Sequence, residues 1–258
     1  YKTALPYLRK SNLSSGSKTR LAADASLRTA DCYFSLHDYE KAIINYDDVI
    51  EYNAGGSDYA YYQKGIIYGL TNDDATKIQS LQTLCTKYPK SIYVDDAQFE
   101  IGNTNFNNEK FDAAATNYQM IIDNYPKSVY YKKSRLKLAL VKVNTNQIDD
   151  AAVIYKAIVA DYPKSAEASE ALLALKNLYV DKGDAKSFLD YLKQTPDAQL
   201  SASMEDSITY QSAEINYQNQ KLEEATRDLE VYVTKFPKGY FQTQANYYLA
   251  DCYYKKQM

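Results

Sequence analysis

Glycine, proline, tryptophan and histidine are all scarce in this chain. Of 258 residues, 8 are Gly and 6 are Pro, where ordinary usage is about 7 % and 5 %. So few turn-formers exclude an all-β sandwich, and collagen-like and low-complexity classes with it. There is no Trp, and the single His is His37. Cys32, Cys85 and Cys252 are too few and too scattered for a disulfide framework or a zinc site, and no CxxC occurs. Neither sign of charge dominates: 30 basic residues face 33 acidic ones, for a net charge of −3. That balance gives no reason to expect nucleic acid or an anionic membrane surface as a partner. No stretch approaches the ~18 apolar residues of a membrane span, and the opening residues are expected to belong to a helix and not to a secretory signal. The chain opens at Tyr1-Lys2-Thr3 without an initiating Met, and is expected to be a fragment or a processed chain. What is abundant is tyrosine, at 28 residues.

Internal repetition is the strongest feature. Tyr88-Pro89-Lys90-Ser91 recurs as Tyr125-Pro126-Lys127-Ser128 and Tyr162-Pro163-Lys164-Ser165, then as Phe236-Pro237-Lys238-Gly239. The prolines are separated by 37, 37 and 74 residues, and 74 is twice 37. The missing anchor falls at Leu200, where the proline is lost. Within each cycle apolar residues recur at steps of three to five, as in Ile101, Phe106, Phe111, Ala114, Tyr118 and Ile122. That is the stripe of an amphipathic helix. Polar breaks at Asn107–Lys110, Asn144–Gln147 and Asp181–Asp184 divide each cycle into two helices. The proline ends the second helix, because it has no amide hydrogen and disfavours helix in the residue before it. Ser91, Ser128 and Ser165 are then expected to cap the next helix.

The phase extends upstream. Ala30-Asp31-Cys32-Tyr33-Phe34 matches Ala250-Asp251-Cys252-Tyr253-Tyr254 at a separation of 220, two short of six cycles. One early junction, near Asn53–Ser57, is therefore two residues shorter. Residues 1–258 read as one array of about six full hairpins with a partial unit at each end, continuing in a longer chain. A helix is expected at each end, over about 1–10 and 239–256. A local irregularity is expected at Gln194–Ser203.

The residues resemble the tetratricopeptide repeat. Gly102 and Ala114 stand 12 apart, Tyr118 follows by four, and Pro126 lies 12 beyond Ala114. Ala139, Ala151, Tyr155 and Pro163 repeat the pattern, as do Ala213, Ala225, Leu229 and Pro237. The usual unit has about 34 residues, so the three extra residues fall between the proline and the next helix. The resemblance implies an all-α fold, a right-handed superhelical solenoid of antiparallel helix hairpins stacked so that each buries the apolar face of the next. The Tyr-Pro-Lys-Ser form is similar to repeats of periplasmic outer-membrane assembly lipoproteins and the Tol-Pal-associated repeat protein. This implies a periplasmic or outer-membrane-associated location, with the cytoplasm as the alternative.

Candidate chemistry is sparse. His37 lies in a turn with no second His or phased Cys, so a solvated turn residue is the expected reading. Cys32 and Cys252 share one repeat position six units apart and read as small buried hydrophobes. The pairs Asp47-Asp48, Asp73-Asp74, Asp95-Asp96 and Asp149-Asp150 come without a calcium-loop pattern, and most suit helix starts. No phosphate loop, GxSxG or HExxH is present. The chain is therefore expected to be non-catalytic, with no cofactor and no metal.

The tyrosines divide into sets. Tyr46, Tyr118 and Tyr155 hold the ladder position and are expected in the core, while Tyr88, Tyr125 and Tyr162 are expected at unit junctions. By the resemblance, the first helix of each hairpin lines a concave groove. One inward column reads Leu27, Tyr62, Phe99, Leu136, Leu173, Tyr210, Tyr247. A second reads Phe34, Gly69, Phe106, Val143, Val180, Tyr217, Tyr254, with Asn103 among the residues between them. Tyr62, Phe99, Asn103, Phe106, Tyr210, Tyr217, Tyr247 and Tyr254 are the candidate contacts for a protein or peptide partner. Tyrosine suits such a surface through its large area, few rotors and polar tip. A carboxylate clamp is not expected, because Phe99 and Leu173 stand at the lysine-type positions. The alternative is a structural spacer whose groove binds nothing. Oligomeric state is left open.

Overall fold

A computed structural model of the chain describes residues 1–14, 19–195 and 201–257. Among the described residues there are fourteen α-helices and no strand. They are α1 (Leu5–Ser14), α2 (Arg20–Ser35), α3 (Tyr39–Tyr52), α4 (Ser57–Leu70), α5 (Asp74–Lys87), α6 (Val94–Asn107), α7 (Phe111–Asn124), α8 (Tyr131–Asn144), α9 (Ile148–Asp161), α10 (Ala166–Asp181), α11 (Ala185–Gln194), α12 (Ala202–Gln218), α13 (Leu222–Lys235) and α14 (Gln242–Gln257). They form two compact units, Tyr1–Val141 and Lys142–Met258, with the division inside α8. In the first unit α2–α3, α4–α5 and α6–α7 are tightly paired hairpins; in the second, α9 packs on α10 and α12 pairs with α13.

One turn is used six times. At each passage from first to second helix a single residue adopts the left-handed conformation: His37, Asn72, Glu109, Asn146, Gly183 and Gln220, with φ between 57° and 72°. The residue after it bonds back across the helix end, as Lys110 N–H donates to Asn105 O at 2.8 Å and Lys221 N–H to Asn216 O at 2.9 Å. This is the Schellman closure of a helix C-terminus. The turn residues are 35 apart once and 37 apart thereafter, so the shortened early junction is real.

The interior follows the small-residue ladder. Ala30, Ala42, Ala114, Ala139, Ala151, Ala213 and Ala225 have no exposed surface. Tyr46 and Tyr118 are wholly buried and Tyr155 is 2 % exposed. A Cβ added to Gly102 would meet the Tyr118 ring at 2.8 Å, so the glycine makes room for the tyrosine. The Tyr118 hydroxyl donates to Asn103 Oδ1 at 2.9 Å, and Tyr46 to Asp31 Oδ1 at 2.6 Å, which satisfies both buried phenols. Tyr125 touches the cores on both sides of its junction.

Two expectations need correction. Ser165 does cap α10, accepting from Ala168 N–H at 3.1 Å. Ser91 and Ser128 do not cap α6 and α8. Each accepts from the N–H two residues on, at Tyr93 and Tyr130, and so closes a separate turn ahead of the helix. The physical reason is the longer linker, which inserts that turn before helix begins. The irregularity expected over 194–203 falls partly on 196–200, outside the described residues, as does the Leu200 anchor. The helix leading into it, α11, has 10 residues where the other second helices have 14.

Burial also raises tyrosine pKa values, to about 12 for Tyr59, Tyr62 and Tyr232 and further for Tyr46 and Tyr118. Desolvation is the first cause in each case. A phenol whose folded pKa is raised contributes stability present below its unfolded pKa of about 10 and lost as pH rises through the folded value. Melting temperature is therefore expected to hold up to about pH 10 and fall steeply between pH 10 and 12. A spectrophotometric titration in which every tyrosine ionises near pH 10 with the fold intact would contradict this.

Candidate protein-docking face

The extra linker residues reshape the first-helix face. The residue four beyond the proline is aromatic at three of the four retained junctions, as Tyr93, Tyr130 and Phe241; beyond Pro163 it is Glu167. Each aromatic stacks on a first-column residue of the preceding hairpin. Tyr93 lies on Tyr62 with centroids 5.3 Å apart at 17°, Tyr130 on Phe99 at 4.5 Å and 24°, and Phe241 on Tyr210 at 4.3 Å and 2°. Met204, which stands at the same repeat position but inside α12, does not stack in this way, and the corresponding Leu173 stays 57 % exposed.

This decides where the candidate residues lie. Phe99 and Tyr210, expected on the lining, are 9 % and 3 % exposed. They sit beneath their linker aromatics, and Tyr210 also donates to Glu214 at 2.8 Å. Asn103 accepts the Tyr118 phenol, so its side chain has a structural role. Phe106 is half-buried, edge-on to Phe111, with Lys137 Nζ 5.5 Å over its ring. Tyr217 is half-buried, stacked on Tyr248 at 4.4 Å, and donates to Asp251 at 2.6 Å. Tyr247 and Tyr254 on α14 are 68 % and 64 % exposed. Tyr62 is half-buried. Burial of the whole set would have matched a spacer; it is instead divided between covered and open positions.

In the first unit the open part forms a patch. Tyr59, Tyr62, Tyr93 and Tyr130 are all half-buried. Tyr59 donates to Asp31 at 3.2 Å and Tyr130 to Asp96 at 2.9 Å. The hydroxyls of Tyr62 and Tyr93 hydrogen-bond to no described residue. Desolvation raises both phenols, and so do the neighbouring carboxylates: Asp96, Glu100 and Asp95 for Tyr62, and Asp58, Asp96 and Asp31 for Tyr93. Desolvation raises Asp96 as well, against the opposing Tyr130 hydrogen bond.

The family model for a tetratricopeptide repeat-like domain matches residues 56–158, and that for a tetratricopeptide repeat matches residues 24–55. The chain is a tetratricopeptide-repeat protein. No curated protein matches its sequence. Among solved structures it is similar to YrrB, a repeat protein with an unusual peptide-binding site, at 17 % identity and TM-score 0.51, covering 71 % of this chain and 89 % of that one. A MamA protein aligns at 18 % identity and TM-score 0.54, over 77 % and 94 % of the two chains. A tetratricopeptide-repeat protein from Parabacteroides merdae ATCC 43184 aligns at 13 % and TM-score 0.53, over 97 % and 90 %. At these identities the likeness is one of fold. Arrays of this family are protein–protein interaction scaffolds and as a rule not catalysts.

The remaining candidates of this repeat protein take structural places. His37 is an exposed left-handed turn residue whose Nδ1 lies 3.0 Å from the Tyr39 hydroxyl. Cys32 and Cys252 are buried, and burial pushes the Cys85 thiol up to about 11, away from thiolate chemistry. Asp73 caps α5, Asp95-Asp96 and Asp149-Asp150 lie in first helical turns, and Asp47 pairs with Lys64. No group of metal-binding side chains is found among the described residues, and no described helix is long and apolar enough to cross a membrane. Sequence reasoning missed a cavity of about 680 Å³ beside α11, with Leu189, Val231 and Arg227 in its wall. Its polar floor is already engaged, since Ser212 accepts from Ala185 N–H and Thr209 donates to Glu205 O. It was also missed that the linker aromatics cover the first column; the aromatic at proline plus four was the available signal.

Proposed function

We propose that this chain is a scaffold that docks an extended protein segment on the first-helix face of its first unit, across Tyr59, Tyr62, Tyr93 and Tyr130. The observation that carries this reading is the Tyr62–Tyr93 stack, a half-buried aromatic surface with two hydroxyls that no described residue engages. Rigid aromatic area with a polar tip is what protein contacts use most. Photo-crosslinking tests it: benzoylphenylalanine placed at Tyr62 is expected to give a discrete adduct in cells of the source organism. The same group at Ile44, 60 % exposed on α3, is expected to give none. Equal labelling at both positions, or none at Tyr62, favours the spacer reading.

The Tyr-Pro-Lys-Ser linkers support a place in a bacterial cell-envelope assembly, periplasmic or bound to the outer membrane. Fractionation of source cells tests this, and recovery in the cytosol overturns it.

A further inference from the structure

We infer that the segment docked on this face is cationic, with Lys or Arg side chains lying against the Tyr62–Tyr93 stack beside Asp96. The inference rests on the docking reading above and adds the chemistry of the occupant.

Two observations carry it. The first is local charge. Asp31, Asp58, Asp95, Asp96 and Glu100 surround the tyrosine patch and are all half-buried. Lys77 answers Glu100, with Nζ 2.7 Å from Oε2, and Lys64 is turned to Asp47. Asp31, Asp58 and Asp96 each accept from a hydroxyl, of Tyr46 and Tyr59, Ser91 and Tyr130 respectively. A neutral donor leaves the carboxylate charge in place, and a carboxylate has about four acceptor sites. Asp95 takes no hydrogen bond or ion pair from a described residue. The patch therefore presents uncompensated negative charge beside aromatic faces.

The second observation is that the array makes this contact internally at its second column. Lys255 Nζ lies 4.9 Å over the Tyr217 ring and 2.7 Å from Asp251, which also accepts the Tyr217 hydroxyl. In the first unit Lys137 Nζ lies 5.5 Å over Phe106. These are cation–π distances. Among the described residues no cation of the chain lies over Tyr62 or Tyr93, so here the cation must come from outside.

The test is fluorescence anisotropy with the whole chain and three labelled peptides of equal length, built on the repeats Arg-Gly-Ser, Leu-Gly-Ser and Glu-Gly-Ser. The Arg peptide is expected to bind, and to weaken as salt is raised. It is expected to lose about tenfold in affinity in Tyr62→Leu and again in Asp96→Asn, the scale of one desolvated cation–π or charge contact. Asp96→Asn keeps the local volume and still accepts from Tyr130, whereas Tyr62→Leu removes the aromatic ring and leaves an apolar side chain; unchanged circular dichroism confirms the fold of both. Binding of the Leu peptide alone, lost in Tyr62→Leu, overturns the cationic occupant and leaves the docking reading standing. Equal binding of the Glu and Arg peptides overturns it in the same way. No binding of any peptide, with a crosslink at Tyr62, does so too. Without the crosslink both readings fall.

Discussion

Tyr118→Ala is expected to lower the unfolding free energy of the first unit by about 3–5 kcal/mol, the range for deleting a large buried aromatic. The ring has no exposed surface and belongs to a core with Phe99, Ala114, Ile121 and Val141. Its space exists because Gly102 has no side chain: a Cβ there would lie 2.8 Å from Cε1. Alanine would leave that space empty on both sides of the helix contact, and helix backbones cannot close in fully to fill it. The loss would also strand Asn103, whose Oδ1 accepts the phenol at 2.9 Å. Tyr118→Phe separates the two contributions. It keeps the ring and removes one hydrogen bond, so about 1 kcal/mol is expected. Urea unfolding followed by circular dichroism measures both. Because repeat stability is approximately a sum of neighbouring terms, the damage should centre on α6 and α7. A Tyr118→Ala loss no larger than that of Tyr118→Phe would mean that the ladder does not hold the hairpins together.

The ladder was legible in the sequence because its physics is local and repeated. A small residue, a second small residue 12 on and a tyrosine four beyond describe one helix–helix contact, whatever surrounds it. The proline phase was legible for the same reason. The turns between helices were legible as polar breaks, but the residue in each that turns left-handed was not: His37, Asn72, Glu109, Asn146, Gly183 and Gln220 have no residue type in common. The candidate docking face was half legible. Tyr62 is half-buried on α4, whereas Phe99 and Tyr210 were expected at a surface they do not reach. Their cover comes from Tyr130 and Phe241, 31 residues further along the chain. No helical periodicity within one hairpin reports a contact made by the linker of the next. The same linker turn took Ser91 and Ser128 away from the helix starts they were expected to cap.

Gly183→Ala is expected to cost about 3 kcal/mol, as the sum of two separable effects. The first is conformational. At φ 72° an L side chain is strained by about 1–2 kcal/mol, a cost that the other five turns bear. The second is specific to Gly183. An added Cβ would lie 2.0 Å from Asn216 Oδ1, deep inside contact distance. Asn216 is 2 % exposed and cannot swing away freely. Its Nδ2 donates to Gly183 O and to Asp228 Oδ2, both at 2.9 Å. Displacing it would leave buried polar groups unpaired, at about 1–3 kcal/mol. Gln220→Gly is the contrasting change: the same left-handed turn, but exposed and filled by a strained residue. Relief of strain, less the entropy glycine adds to the unfolded chain, predicts a gain of about 0.5 kcal/mol. A double-mutant cycle isolates the contact. In the Asn216→Ala background, the further cost of Gly183→Ala is expected to fall to the about 1–2 kcal/mol of the backbone alone. An equal cost in both backgrounds would show that the turn conformation, and not Asn216, demands glycine at this position.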